Sequence, residues 1–570
     1  MKSEGRVAYK WIALSNTTIG TLIATVNATS ILIAMPVIFR GININPLDPA
    51  NFSYLLWLLM GYMVVSAVLV VTAGRLGDMY GRTKVYNIGF AVFTVAAIGL
   101  SFVWSQGSAG AIELIVLRMI QAVGGAMLMA TSAAILTDAF PSNQRGMALG
   151  INMISAMAGS FLGIVVGGIL ASVNWRWIFL INVPIGVIGT IWGFWQLREI
   201  GVRRRARIDW IGNLTFAVGL AMVLIGVTQG IQPYGGSDMG WGNPEVIGLV
   251  VGGLAILGVF AYWETRVTDP MFHLDLFKIR AFTAGNLAGL LGSVARGGLQ
   301  FMLVIWLQGI WLPLHGYNYT ETPLWAGIYM LPLTLGFLVA GPISGMLSDR
   351  YGARPFATGG MILAAASFAL LMLLPADFSF PVFAAIIFLN GVSMGMFASP
   401  NTAAIMNSVP ARDRGVASGI RVTFMNVGLP LSIGLFFTLM IVGLNQSVPA
   451  TLYGGLTSNG VPAAVAHRLA DLPPISYLFA SFLGYNPLGT LLGPVLSTVT
   501  PEQAARLTGQ SYFPTLISGP FQHGLVLVLS FSIIASLIAA AASYMRGGKY
   551  VHEETEAAEV HPAAKREAAR

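Results

Sequence analysis

Long apolar runs separated by short polar segments dominate the chain. Fourteen of them reach the roughly 20 residues that an α-helix needs to cross a bilayer: 11–39, 54–74, 85–105, 111–137, 147–172, 177–197, 209–231, 245–264, 282–307, 324–347, 356–375, 381–406, 416–444 and 521–545. The first follows a basic start but is too long for the apolar region of a signal peptide and has no obvious cleavage site, so it reads as a retained span. Residues 445–520 interrupt the regularity. Ile475 to Val495 is apolar enough to suggest a fifteenth span. Gly484, Asn486-Pro487, Gly489 and Gly493-Pro494 divide it into pieces too short to cross, and an external hairpin or interfacial pair of short helices is expected.

Basic residues orient these spans. With the N-terminus on the inside, 24 of the 31 Lys and Arg fall in inner segments, among them Arg203, Arg204, Arg205 and Arg207 in one loop and Lys278 with Arg280 in another. Arg40, Arg176, Arg468 and Arg506 fall outside, and Arg118, Arg296 and Arg421 lie within spans. The asymmetry predicts that both termini are cytoplasmic. A fifteenth span would put Lys549, Lys565 and Arg566 outside. From Gly547 on, the charged, Ala- and Glu-rich tail predicts a solvated or loosely helical end.

Composition removes other classes. With 55% hydrophobic and 9% charged residues and a mean hydropathy of +0.74, a soluble fold would have to bury more than its surface allows. The net charge of +8 is spread in short clusters, with no stripe to track a nucleic-acid backbone. The chain has no cysteine, and its six histidines lie in loops or at span ends without metal or nucleophile spacing. No GxxxxGK[ST] loop is present, so ATP-driven transport would need a partner. Neither a metal, a cofactor nor an enzymatic activity is expected.

The chain also repeats itself. GRLGDMYGRTK at 74–84 returns 271 positions later as GMLSDRYGAR at 345–354, and DAFPSNQRGMALG at 138–150 returns as NSVPARDRGVASG at 407–419. A duplicated membrane protein is commonly a transporter that rocks around a site between its repeats. In the loop, Gly74, Gly77 and Gly81 let two helix ends approach, Asp78 can accept hydrogen bonds at a neighbouring helix N-terminus, and Arg82 and Lys84 face the inner surface and its anionic lipids. Such a cluster can latch one conformation, with Asp349, Arg350 and Arg354 as its counterpart in the second half.

These residues resemble the major facilitator superfamily, whose loop between spans two and three carries GxLxDxxGR. RMIQAVGGAML, with Arg118, Gln121 and Gly124, is similar to the fourth-span motif of the family. Gly150, Gly159, Gly163, Gly167 and Gly168 reproduce the glycine spacing of its antiporter signature, with Ile164 where the proline belongs. WRWIFLINVPIG at 175–186 resembles the sixth-span signature of the fourteen-spanner drug:proton antiporter branch. The resemblance implies an all-α integral membrane fold of two six-helix bundles, 1–200 and 269–546, with an inserted helix pair at 201–268 and a tail at 547–570. It also implies export of amphipathic small molecules, driven by protons and exchanged by alternating access, from a protein functional as a monomer.

Charged residues inside spans cost about 2.5–3.5 kcal/mol each at a helix centre and normally face a cavity or a partner. Glu113 is the one acid inside a span; Asp209, Glu245 and Glu264 are terminal residues of theirs. Arg118 reads either as a switch or anion partner, or as a structural cation satisfied by carbonyls. Arg296 and Arg421 either face the path or snorkel from span ends. Asn27 stands where proton-coupled relatives of the branch often carry an acid, and an amide cannot titrate. Coupling then rests on Glu113 or a loop acid such as Asp78 or Asp138, or the solute is neutral or anionic and lipid-like; a non-transporting sensor is a further class. Asn27, Glu113, Arg118, Gln121, Arg296 and Arg421 are the expected cavity residues, with Met127, Met129, Trp306 and Met394 as lining.

Overall fold

A computed structural model describes residues 2–45, 48, 51–141, 144–200, 209–267, 270–410, 413–483 and 486–547. Arg203, Arg204, Arg205, Arg207, Lys549, Lys565 and Arg566 lie outside these residues, as does nearly all of the tail expected from 547. The fold is all-α, with fourteen helices long and apolar enough to span a membrane. They are α1 (Tyr9–Gly41), α2 (Phe52–Tyr80), α3 (Arg82–Ser101), α4 (Gly107–Ala139), α5 (Met147–Val173), α6 (Trp177–Gln196), α7 (Trp210–Gly230), α8 (Pro244–Glu264), α9 (Arg280–Leu314), α10 (Thr322–Ser348), α11 (Ala353–Met372), α12 (Phe380–Asn407), α13 (Val416–Asn445) and α14 (Tyr512–Tyr544). α9 runs well past the expected 307, carried through a π-helical stretch at Trp306–Trp311. α14 begins nine residues before the expected 521, because Pro520 is accommodated inside the helix.

Helix packing sorts the spans. α1 lies along α5, and α4 packs on α1, α2 and α3; in the later part of the chain α12 packs on α10 and α11, and α14 on α9, α11 and α13. α7 and α8 pack on each other, with α7 also touching α2 and α13. α2 meets α13 and α5 meets α10 across the two sets. Since successive spans reverse direction, the two repeated loops, after α2 and after α10, share one end of the molecule, called here the loop end.

The opposite end is sealed. One apolar cluster joins Ile31, Phe39 and Leu59 of the first set to Trp306, Met330 and Phe437 of the second. Between α13 and α14 the chain forms short helices at Val448–Ser458, Ala463–Ala470, Pro474–Phe482, Leu488–Leu492 and Pro501–Thr508. None is long enough to cross, as the glycine and proline breaks predict, but they are more than the expected pair, because each break starts a new turn. They cap the seal: Phe479 lies with its ring 5.7 Å from Phe52 and 5.6 Å from Phe437, so one side chain touches both sets.

Candidate functional site

The first loop motif is an ionic clamp. Gly81 has φ +112°, a conformation that side chains disfavour, and it turns α2 directly into α3. Arg82 then reaches Asp78 at 2.8 Å and Asp138 of α4 at 2.8 Å. Asp78 does not cap the neighbouring helix as its position suggested. The amides of Arg82 and Thr83, unpaired donors at the start of α3, are taken by the carboxylate of Glu199, each at 3.2 Å. Asp78, Arg82 and Asp138 all belong to α2–α4, so the clamp fastens helices of one set.

Its counterpart is built differently. Gly352 repeats the turn with φ +85°, but Arg354 stacks over the Tyr544 ring at 3.8 Å and Arg350 over Tyr351 at 5.5 Å. The side chain of Asp349 lies outside what the structure describes.

Asn27, Arg118 and Gln121 do come together. Arg118 is 1% exposed; its Nη1 donates to Asn27 Oδ1 and to Gln121 Oε1 at 3.3 Å, and its guanidinium lies 4.7 Å from the centre of the Tyr62 ring. Three helices, α1, α2 and α4, are tied by one cation held on neutral acceptors and a π face. Glu113, five residues away on α4, makes no hydrogen bond or ion pair with Arg118 among the described contacts. The guanidinium is held chiefly by the side-chain amide of Asn27, with the Asn27 backbone carbonyl at 3.5 Å as a further acceptor, as the structural reading expects.

Gly159, Gly163 and Gly167, four residues apart, face α1 at Leu22, Val26 and Ser30. Thr29 donates to the Ser160 carbonyl at 2.9 Å across this seam. Small residues at this spacing permit close helix contact in lipid. Gly168 faces the other way, against the backbone of Pro323 and Leu324 in α10, and Ile164 packs on Gly327 of the same helix. Two positions of the signature therefore make the α5–α10 contact at the sealed end, while three belong to the α1–α5 seam and Gly150 has open space around it.

Arg296 and Arg421 line a cavity in the second set. Its walls come from α9, α11, α12, α13 and α14, with Met153 of α5 facing it from the first set. These wall positions, such as Asn286 to Arg296 of α9 and Arg421 and Met425 of α13, lie towards the loop end of their helices, below the seal. Met394 is in the wall, as expected. Trp306 is in the seal, donating to the Ala376 carbonyl at 3.0 Å. Asn27, Arg118 and Gln121 are not part of this wall.

The sequence profile of the Major Facilitator Superfamily matches residues 17–433 and 287–551. The chain belongs to the major facilitator superfamily. Among relatives, it is 30% identical to the riboflavin transporter RibZ of Clostridioides difficile over 75% of this chain and 87% of that one. It is 28% identical to the multidrug transporter protein MdtP of Bacillus subtilis over 86% and 85%, and 28% identical to the tetracenomycin C resistance and export protein of Streptomyces glaucescens over 77% of each. A bacterial homologue of the lysosomal transporter Spinster shares the fold, with a TM-score of 0.55 at 14% identity over 94% of this chain and 97% of that one. Fourteen spans and bacterial relatives make this major facilitator a multi-pass plasma-membrane transporter.

Several residues of this major facilitator were not singled out by sequence. Asp209 and Glu264, 9% and 3% exposed, sit at the same end of the α7–α8 pair. Asp209 accepts from the Gly212 amide at 2.9 Å and from Trp263 Nε1 at 3.0 Å, and Glu264 from the Phe272 amide at 3.0 Å, leaving one carboxylate oxygen of each without a protein partner. An acid at the same end of two consecutive spans was the available signal. Arg546, counted among the loop charges, is 5% exposed and donates to Asn401 Oδ1 in the cavity wall. Burial holds its guanidinium below the usual range, at about 10. Gln308, in the π-helical stretch, is fully buried with neither amide atom paired to protein.

Proposed function

We propose that the chain exports hydrophobic or amphipathic small molecules by alternating access, coupled to the proton gradient, and works as a monomer. The observation that carries this reading is the pairing of a seal shared by both helix sets at one end with a cavity between that seal and the loop end. A solute in such a cavity is exposed to one side at a time, and rocking of the sets about their α2–α13 and α5–α10 contacts exchanges the sides. On this reading the sets are the bundles 1–200 and 269–546, 201–268 is an inserted pair, and both termini and the loop end are cytoplasmic. The state described is then open inward and closed outward. Relatives that export antibiotics and drugs support the direction and the solute class.

Flux into inverted vesicles under an imposed pH gradient tests the reading: uptake that collapses when the gradient is dissipated is expected, and gradient-independent uptake overturns the coupling. Single cysteines at Ser3, Ser237 and Ser458 test the orientation, since only the latter two should label from outside. A second reading, a carrier of anionic lipid-like solutes, is favoured by one observation, the unpaired arginines of the cavity.

A further inference from the structure

We infer that the cavity of the second bundle is a binding site for an amphipathic oxyanion, a carboxylate or phosphate group on an apolar body, held by Arg296 and Arg421. The inference rests on the transporter reading for its purpose but not for its geometry. A cation costs several kcal/mol to remove from water, and proteins normally offset that cost with an acid or a set of acceptors. Arg118 keeps its Nε unpaired, but its Nη1 is met by Asn27 and Gln121 and its guanidinium by the Tyr62 ring. Arg296, by contrast, makes no hydrogen bond or ion pair among the described residues, and Arg421 donates only to the Met425 sulfur, at 3.2 Å, with its Nε buried and unpaired. No Asp or Glu is among the described residues of the cavity wall. A third cation, Arg546, abuts the wall through Asn401 and keeps Nε and Nη1 unpaired.

The rest of the wall fits the other end of such a molecule. Met153, Met361, Met394, Met425, Phe368 and Phe397 give an apolar surface, and unbranched Met side chains adapt to bodies of different shape. Two guanidiniums supply planar donor pairs that match a carboxylate or phosphate edge. A cationic amphipath would meet two like charges and no counter-charge. The site therefore selects against cations as well as for anions.

Three probes with one ring system test this: 2-naphthoate, 2-naphthylmethanol and 2-naphthylmethylammonium, titrated into the purified full chain in nanodiscs of neutral phosphatidylcholine. Naphthoate should bind at least tenfold more tightly than the alcohol, and the ammonium should bind most weakly. R296Q and R421Q should each weaken naphthoate by about ten- to a hundredfold, the range for a hydrogen bond to a charged group, while leaving the alcohol unchanged. Neither substitution strands an acid; should R296Q fail to fold, R296K, which keeps the charge and loses the fork, should retain an intermediate affinity. Nanodiscs containing phosphatidylglycerol separate the sources: competition by that lipid identifies a lipid headgroup as the anion, and its absence a free solute. Equal binding of the three probes, or naphthoate affinity unchanged in both Gln variants, overturns the inference. Naphthoate that binds but is never transported by any vesicle assay would overturn the export reading and leave the anion site standing.

Discussion

The two halves of this duplicated chain treat their arginines in opposite ways. In the first, Arg118 is closed off on Asn27, Gln121 and the Tyr62 ring, and Arg82 is clamped between two carboxylates. In the second, Arg296 and Arg421 face a cavity without acids, and Arg354 has a tyrosine ring where Arg82 has Asp78 and Asp138. The repeat itself explains the second contrast. Aligned on the first repeated motif, Ala353 stands where Arg82 does, and aligned on the second, whose offset is two residues shorter, Asn407 stands where Asp138 does, so the later half keeps the glycine turn and loses both the cation and the second acid. One half is built to hold together as a body, and the other keeps its cations available.

The largest expected effect separates a structural cation from an available one. Asn27→Leu removes the chief acceptor of a buried guanidinium and should cost about 1.5–3 kcal/mol of stability, the range for hydrogen bonds to charged groups. Arg296→Gln removes a cation that has no protein partner to lose and should not lower stability, or should raise it. Thermal unfolding of both purified variants checks the pair. Equal losses would mean that Arg296 is as embedded in its half as Arg118 is in its own.

Next in size is the place where the halves meet at the sealed end. A Cβ on Gly168 would lie 2.9 Å from the Leu324 Cα, so Gly168→Val overpacks the α5–α10 contact at about 1–3 kcal/mol. On the alternating-access reading the sets rock about this contact, so flux should fall roughly tenfold or more, and a cysteine at Leu324 should become more reactive from the outside. Gly150→Val, with open space around it, is the control and should do neither. Gly168→Val with normal flux would remove the glycine signature from the closing surface.

Much of this was visible in the sequence because it depends on local pattern. Apolar run length gave the fourteen spans, and the repeated glycine turns marked the loop end, since a tight turn with positive φ leaves few residue choices. What depends on pairs far apart in the chain was not visible. Arg118 and Asn27 each stood out, but their contact spans 91 positions, and nothing local assigns Glu199, 117 positions from Arg82, as the cap of α3. Whether Arg296 and Arg421 snorkel or line a cavity is likewise set by how five helices pack. Arg546 read as an ordinary loop charge because burial by a neighbouring helix leaves no mark on its own sequence.

A smaller effect compares the two loops directly. Arg82→Gln takes the shared cation away from two partly exposed carboxylates, about 1 kcal/mol in surface ion pairs, and should lower flux about fivefold. Arg354→Gln gives up one cation–π contact of about 0.5–1 kcal/mol, and flux should fall at most about twofold. Proteoliposome uptake at matched protein density makes the comparison. A larger loss for Arg354→Gln would reverse the assignment of the first half as the clamped one.

The smallest effect asks whether the clamp stiffens a bundle or gates the exchange. Ala353→Arg with Asn407→Asp would rebuild in the second half the cation and acid found at Arg82 and Asp138. The turn can accept it, because Gly352 keeps a positive φ as Gly81 does, and Asn407 is exposed, so a carboxylate there sheds little water. A surface pair of this kind is worth about 0.2–1 kcal/mol, readable as the coupling between the two single variants and the double in thermal unfolding. All the described members of the natural clamp lie on α2, α3 and α4, within one set, so its rebuilt copy should add stability and leave flux within twofold. A flux collapse in the double variant, with both single variants near normal, would show that ion pairs at the loop end resist the rocking itself. The unclamped second half would then be what allows the transporter to turn over.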